Sequence, residues 1–238
     1  MPAADARTAT APTRQRILDE AERLIAVKGV YAFTLRDIAE PLDVRVPAIY
    51  KHYKSRDDVL IEVSRRYIAL LAAQFELRPD LPPVAALRAA LDAFVELMAR
   101  HPAYVRLALA DFATPGGGME YVKLAAGGSF KENFVGGPLA AMHTRLRKLL
   151  QTGIHAGDFR QVDATDVYRL VKASLLIRLV FPDDTALVRG LSSGEVSAAK
   201  RWLWDIASGH LAPRPGAAAR SRRGAKAAAR VRAPARKR

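Results

Sequence analysis

Cysteine is absent from all 238 residues. Disulfides, thiolate nucleophiles and cysteine-ligated zinc are therefore excluded, and the chain suits a reducing cytoplasm. Long apolar runs are missing too. The longest stretch without a charge, residues 133–144, is too short and too rich in Gly and Pro to span a membrane. The first thirteen residues, MPAADARTATAPT, contain Asp5 and no apolar run, so they do not read as a signal peptide. Acidic residues are lacking in one region: residues 213–238 hold ten Lys or Arg and no Asp or Glu. The net charge of +14 is thus mostly a property of this tail, because the rest of the chain sets 28 basic residues against 24 acidic ones. A high isoelectric point alone does not make the folded body a nucleic-acid binder.

Catalytic signatures are also absent. No HExxH, GxxxxGK[ST], GxSxG or GxGxxG occurs, and none of the five histidines has Glu three residues before it, as a di-iron bundle would need. The expectation is that the chain is no enzyme and holds no cofactor or metal.

What is present reads as helix after helix. Ile17, Leu18, Ala21, Leu24 and Ile25 recur at i, i+1, i+4, i+7 and i+8, one stripe of a 3.6-residue period. Thr13 is the expected N-cap and Gly29 the stop. Thr34 with Asp37 forms a short capping box for a second helix. A long helix begins near Ser55, with Asp57 and Asp58 in its first turn, where negative charge suits the macrodipole. Further helices are expected over residues 84–100, 104–113, 138–154, 164–181 and 195–210. Residues 114–137, with seven glycines, form the most irregular part of the body. No strand alternation is convincing, so the fold class is all-α. The tail has Val231 as its one bulky aliphatic residue and is expected to be disordered.

The stretch DIAEPLDVRVPAIYKHY, residues 37–53, carries the most specific information. Pro41 ends or kinks the helix before it, since it gives up an amide bond and crowds the preceding turn. Leu42, Asp43 and Val44 make a tight turn, with Asp43 in the left-handed position that glycine usually fills. A further helix starts around Val46, with Pro47 in its first turn, where a missing N–H costs little. At 100° per residue, Ile49 and Tyr53 face the core while Pro47 and Lys51 point away, flanked by Ala48, Tyr50 and Lys54. Such a helix, crossing its neighbour at a short turn with a small and cationic outer face, fits a DNA major groove. The same pattern equally describes a helical corner with a solvated basic face.

Residues 14–66 resemble the N-terminal domain of the TetR family of transcriptional regulators, through ILDEAERLIAVKGV, FTLRDIA, VRVPAIYKHY and KSRDDVL. The resemblance implies a three-helix helix-turn-helix domain followed by a larger helical domain for ligand binding and dimerisation. The corresponding divisions are an arm at 1–13, the DNA-binding domain at 14–60, an effector and dimerisation domain at 61–212, and the tail at 213–238. This chain has Leu42-Asp43-Val44-Arg45 where the family usually has Ala-Gly-Val-Ser, which removes the turn glycine and the serine cap.

By resemblance the DNA-facing residues are Arg36, Arg45, Val46, Pro47, Ala48, Tyr50, Lys51, His52 and Arg56. Val46 and Ala48 offer only apolar contact to thymine methyls, whereas Arg45 suits a bidentate contact to guanine. Tyr50 and Lys51 suit phosphates. Arg36 and Arg56 lie near the amino ends of neighbouring helices, where phosphate is also welcome. His52 is placed side-on, between packing and phosphate. An effector cavity would draw on Phe94, Met98, Tyr104, Phe112, Met142, His143, Tyr168, Phe181 and Trp202, each of which is equally a core residue. A homodimer is implied by the family and, separately, by an apolar stretch at 170–181 that covers more than one helix face. Its interface residues would be Val171, Leu175, Leu179, Trp202 and Ile206. The implied partners are double-stranded DNA, a small-molecule effector and a second copy of the chain, with no membrane. The implied role is a cytoplasmic, nucleoid-associated regulator, in the first instance a repressor on a palindromic operator. The alternative is an architectural protein that coats DNA through the helix-turn-helix and the tail, without an effector.

Overall fold

Ile17, Leu18, Ala21, Leu24 and Ile25 are all buried on one side of the first helix, α1 (Thr13–Lys28), as their period requires. This computed structural model describes residues 13–74, 78, 80–113, 138–181 and 188–213. The arm before Thr13, the glycine-rich stretch 114–137 and the tail from 214 lie outside the described residues. Gly29 closes α1 in the left-handed region (φ 89°), and its N–H reaches the carbonyl of Ile25 at 2.9 Å. Two short helices follow, α2 (Leu35–Ala39) and α3 (Val46–Tyr50), then the long α4 (Arg56–Gln74). The body continues with α5 (Pro83–Arg100), α6 (Pro102–Ala113), α7 (Pro138–Ala156), α8 (Ala164–Val180) and α9 (Ser193–Leu211). The all-α fold holds throughout the described residues.

Local chemistry sets the helix ends. Asp163 caps α8 by accepting from the N–H of Thr165 (2.8 Å) and of Asp166 (3.4 Å). Ser192 and Glu195 form a reciprocal capping box on α9, reinforced by Arg189 at 2.9 Å from the Glu195 carboxylate. Between α7 and α8 the chain turns at Gly157 (φ 82°), and the Phe159 ring lies directly over Gly153, inside α7.

The helices stack in an order that matters for the site. α1 packs on α2 and α4 and, through its other side, on α6. There the Tyr104 hydroxyl donates to Glu22 (3.2 Å), and Arg106 donates to the Ala26 carbonyl (2.6 Å) in the last turn of α1. Arg66 of α4 donates to both Asp19 and Glu22 at 2.9 Å, and the Tyr67 and Tyr104 rings meet at 5.0 Å. The three-helix unit is therefore bolted to α4 and to α6. α9 runs antiparallel to α5, because Lys200 pairs with Glu96 while Trp204 lies against Arg88, 5.3 Å from its guanidinium carbon. The last turn of α9 thus sits beside the start of α5. The turn after α7 joins it there, where the N–H of Arg160 donates to the Leu211 carbonyl at 2.9 Å.

Candidate nucleic-acid interface

The second helix is buried through Leu35, Ile38 and Ala39, which fixes its outer residues. Its start is closed by the expected capping box: the Thr34 N–H donates to Asp37 at 2.7 Å, and the Asp37 N–H donates back to the Thr34 hydroxyl at 3.3 Å. Lys28 adds a contact to Asp37 at 2.5 Å. Lys28, with the Thr34 hydroxyl and amide, holds the Asp37 carboxyl well below the ordinary carboxylate range.

The turn into α3 is a complete Schellman motif. The N–H of Val44 donates to the Ala39 carbonyl and that of Asp43 to the Glu40 carbonyl, both at 3.1 Å, with Asp43 at φ 53°. Pro41 falls where the helix is already ending, so its missing donor is one the motif does not need. Arg45 then occupies the N-cap of α3 with extended backbone and no side-chain cap, and Pro47 follows in the first turn. The helix is only five residues long because the Ile49 carbonyl accepts from both His52 (2.9 Å) and Tyr53 (3.0 Å), which closes it at once.

This geometry sorts the side chains. Ile49 and Tyr53 are buried, whereas Arg45, Pro47, Tyr50, Lys51 and His52 are exposed and Val46 and Ala48 are half-buried. Arg36 is exposed on α2, beside them in the chain fold. His52 is thus solvent-facing rather than packed. Arg56 is different: it donates to the Tyr31 carbonyl at 3.0 Å and lies over the Phe33 ring, tying the loop before α2 to the start of α4. The helix starts near Arg36 and Arg56 are also already occupied. Thr34 and Asp37 fill that of α2, while Ser55 and Asp58 accept the amides at the start of α4 (Asp58 N–H to Ser55 at 3.0 Å, Lys54 N–H to Asp58 at 2.9 Å). A phosphate would meet these arginines through their side chains, not through free helix amides.

Sequence reasoning missed Arg14. From the first turn of α1 it donates to the Tyr53 hydroxyl (3.2 Å) and to Glu62 of α4 (3.0 Å), with its guanidinium 5.3 Å from the Tyr53 ring centre. It therefore joins α1, the end of α3 and α4. Burial raises the Tyr53 phenol above its ordinary pKa, so the hydroxyl stays protonated beside this cation. No local spacing signals a partner 39 residues away.

The family model of bacterial regulatory proteins, tetR family, matches residues 17–63, which span α1 to the first half of α4. The N-terminal domain of this chain is thus similar to that of the TetR family. Over 79 residues the chain is 35% identical to the HTH-type transcriptional regulator AcrR of Shigella flexneri, an overlap of 32% of this chain and 37% of that protein. The match thus spans about a third of this curated relative's length. A crystal structure of a regulatory protein in the tetR family from Rhodococcus RHA1 superposes with a TM-score of 0.63 at 24% identity, covering 85% of this chain and 98% of that one. The ketosteroid transcriptional regulator KstR2 of Mycobacterium tuberculosis gives 0.61 at 20% identity, covering 86% and 97%. At such identities these two establish that the TetR-like architecture extends through the C-terminal helices. Family and structural neighbours are transcriptional regulators, not enzymes.

The C-terminal residues of this TetR-fold chain do not form one constellation. Phe94 and Met98 of α5, Met142 and His143 of α7 and Tyr168 of α8 are buried. Tyr104, however, faces the junction with α1, and Trp202 is half-buried, 5.8 Å from the Arg178 guanidinium. Phe181 is 72% exposed and the Phe112 side chain lies outside the described residues. His143 bonds to Thr165 at 3.0 Å and contacts Arg147 at 3.3 Å; burial first, and that arginine second, lower its pKa. Lys172 went unnoticed in the sequence, yet it is buried on α8 with its Nζ 5.9 Å from the Tyr168 ring.

The expected dimer contacts need correction. Val171, Leu175 and Leu179 are buried within the protomer's own core and leave nothing for a second copy to touch. The outward stripe of α8 runs instead through Leu170, Ala173, Ile177 and Phe181, with Ile177 56% exposed. Trp202 and Ile206 remain half-buried on α9. Of the residues expected at an interface, those on α8 are thus buried in the protomer and those on α9 are partly exposed. Among the described residues no helix is long and apolar enough to cross a membrane.

Proposed function

We propose that this chain is a cytoplasmic, DNA-binding transcriptional regulator that acts as a homodimer on a two-fold symmetric operator and represses until a small molecule binds its C-terminal domain. The observation that carries the reading is the outer face of α3: Ile49 and Tyr53 are buried, and Pro47, Tyr50 and Lys51 stand in solvent behind a five-residue helix fixed by the Asp43 turn. Arg45 is assigned to a base edge and Val46 and Ala48 to thymine methyls. Arg36, Tyr50, Lys51 and His52 are assigned to phosphates, and Arg56 mainly to holding the Tyr31 loop against α4. Tyr104, Arg106 and Arg66 give the two domains a shared set of contacts through which a ligand among Phe94, Met98 and Met142 could favour one geometry over another. These three buried side chains are apolar and would suit a ligand of low polarity.

The test is selection of genomic fragments by the purified protein, followed by a screen for small molecules that release the preferred fragment. The regulator reading expects a two-fold symmetric sequence; fragments bound without preference after removal of the tail would support the architectural reading instead. Lys51→Ala should lower the dependence of log K on log salt by about one unit per protomer, hence by about two for the dimer on its full site. An unchanged slope would take Lys51 off the phosphate contacts.

A further inference from the structure

A helix as short as α3 has little of its own to set its angle. It packs chiefly on α2, its start is fixed by the turn at Asp43, and Ile49 seats it in the core. Its other end is closed by the Tyr53 N–H on the Ile49 carbonyl at 3.0 Å, with the Tyr53 side chain buried. At 1.5 Å per residue the five residues of α3 rise only about 7.5 Å, so a displacement of about 1 Å at one end tilts the helix by about 8°. Contacts to base edges tolerate errors of only about 0.5 Å. Whatever holds the Tyr53 end therefore bears on what the helix can read.

Arg14 holds that end. Its Nε donates to the Tyr53 hydroxyl at 3.2 Å, the hydroxyl reaches back to the Arg14 carbonyl at 3.5 Å, and the guanidinium lies 5.3 Å from the ring centre. Nη2 of the same guanidinium donates to Glu62 at 3.0 Å. One planar fork, on a stem from α1, thus fixes the spacing between a phenol at the end of α3 and a carboxylate on α4. α4 packs in turn on α5 and α7, so the tie fastens α3 to the helix that meets the larger domain. Arg14 is exposed and close to α3, which invites its assignment as one more phosphate contact. Its bonds argue otherwise: two of its nitrogens already donate to Tyr53 and Glu62, and the Glu62 carboxylate offsets its charge.

We infer that Arg14 is a positioning residue of α3: by holding the Tyr53 hydroxyl against Glu62 it sets the angle at which Arg45, Val46 and Ala48 meet base edges, and so governs sequence discrimination without gripping DNA itself. This rests on the helix-turn-helix reading proposed above and adds to it a residue that touches no base.

The experiment uses the full chain and three variants, Arg14→Met, Tyr53→Phe and the two combined. Each is titrated, over a series of salt concentrations, against the genomic fragment that the parent selects best and against a random-sequence duplex of equal length. The readout is the ratio of the two affinities, because a change that merely lowers the folded fraction weakens binding to both duplexes equally and leaves the ratio unmoved. Arg14→Met should lower the ratio by about tenfold, the scale of one spoiled base contact, with the salt slope on the random duplex unchanged. Tyr53→Phe alters a buried hydroxyl that DNA does not reach, and it should lower the ratio as well. The double variant should be no worse than the more damaged single one, since both changes remove one shared contact. The inference is overturned if Arg14→Met keeps the parent's ratio. It is overturned too if that variant binds both duplexes more weakly by the same factor with a slope lower by about one per protomer, which would make Arg14 a phosphate contact. Losses that multiply in the double variant would also sink it, since the two residues would then act separately. A parent without preference between the duplexes removes the helix-turn-helix reading and this inference with it; a discriminating parent beside an equally discriminating Arg14→Met removes this inference alone.

Discussion

Asp43 holds a backbone conformation (φ 53°) that costs an L-residue more than glycine, and it does so at the corner that aims α3. Asp43→Gly should therefore raise the stability of the DNA-free protein by about 0.5–1 kcal/mol, partly offset by the greater freedom of glycine in the unfolded chain. A denaturant midpoint measured without DNA checks this; a lower midpoint would mean that the Asp side chain contributes more than its strain costs. Gly153 presents the opposite case. A Cβ there would stand 2.2 Å from Cδ2 of Phe159, far inside contact distance. Gly153→Ala should cost about 1–3 kcal/mol, and Gly153→Ala with Phe159→Leu should recover part of it, as the pair shares one space. These two residues differ in how far the sequence foretold them. The left-handed position of Asp43 was legible because a helix end, a turn and a helix start crowd into a few residues. The Phe159–Gly153 contact was not, because it depends on how the turn at Gly157 swings the ring back over α7. The internal contacts of Arg14 and Arg56 were not foreseen for a related reason: charge in a sequence does not say whether its partner is a phosphate, a carbonyl 25 residues away or a phenol 39 residues away.

At the scale of elements, periodicity located the helices well, while their ends followed hydrogen-bonding chemistry. The start of α9 is the clearest instance. Arg189 first, then the Ser192 hydroxyl and amide, hold the Glu195 carboxyl down at about 2. Its folded pKa lies below the unfolded one, so the contribution is fully present above the unfolded value, about 4.3, and is lost as pH falls toward about 2. Glu195→Gln should melt lower than the parent at neutral pH, and the gap should close across that interval. A gap that stays constant down to about pH 2 would place the effect in packing instead of charge. The same logic explains why the α8 residues expected at an interface are buried in the protomer. Its apolar residues surround more than one side, so composition announced an extra partner for the helix. Which residues meet that partner depends on how α8 rotates against α9, α7 and α6, and the pattern of the helix alone does not fix that rotation.

For the whole molecule, the exposed stripe of α8 and its neighbours on α9 present an apolar surface that a single protomer does not cover. Ile177 and Phe181 are 56% and 72% exposed, Trp202 and Ile206 are half-buried, and Arg178 lies over the Trp202 ring. Val171, Leu175 and Leu179 hold the same helix to the protomer's own core, so the two faces have separate tasks. A charge placed on the outer face should consequently leave the fold intact and weaken self-association. Ile177→Glu with Phe181→Glu should keep the helical signal and the melting temperature of the isolated protomer while shifting the sedimenting species from dimer to monomer. A two-fold operator needs both recognition helices at a fixed spacing, so the same variant should lose affinity for a symmetric site far more than for a single half-site. Leu175→Ala serves as the contrast: buried in the protomer, it should cost about 2–5 kcal/mol of stability as a cavity does, whatever the state of association. If the charged pair stayed dimeric and bound the full site normally, the face on which the two copies meet would have to lie elsewhere, and the orientation of the two α3 helices would have to be derived from that other contact.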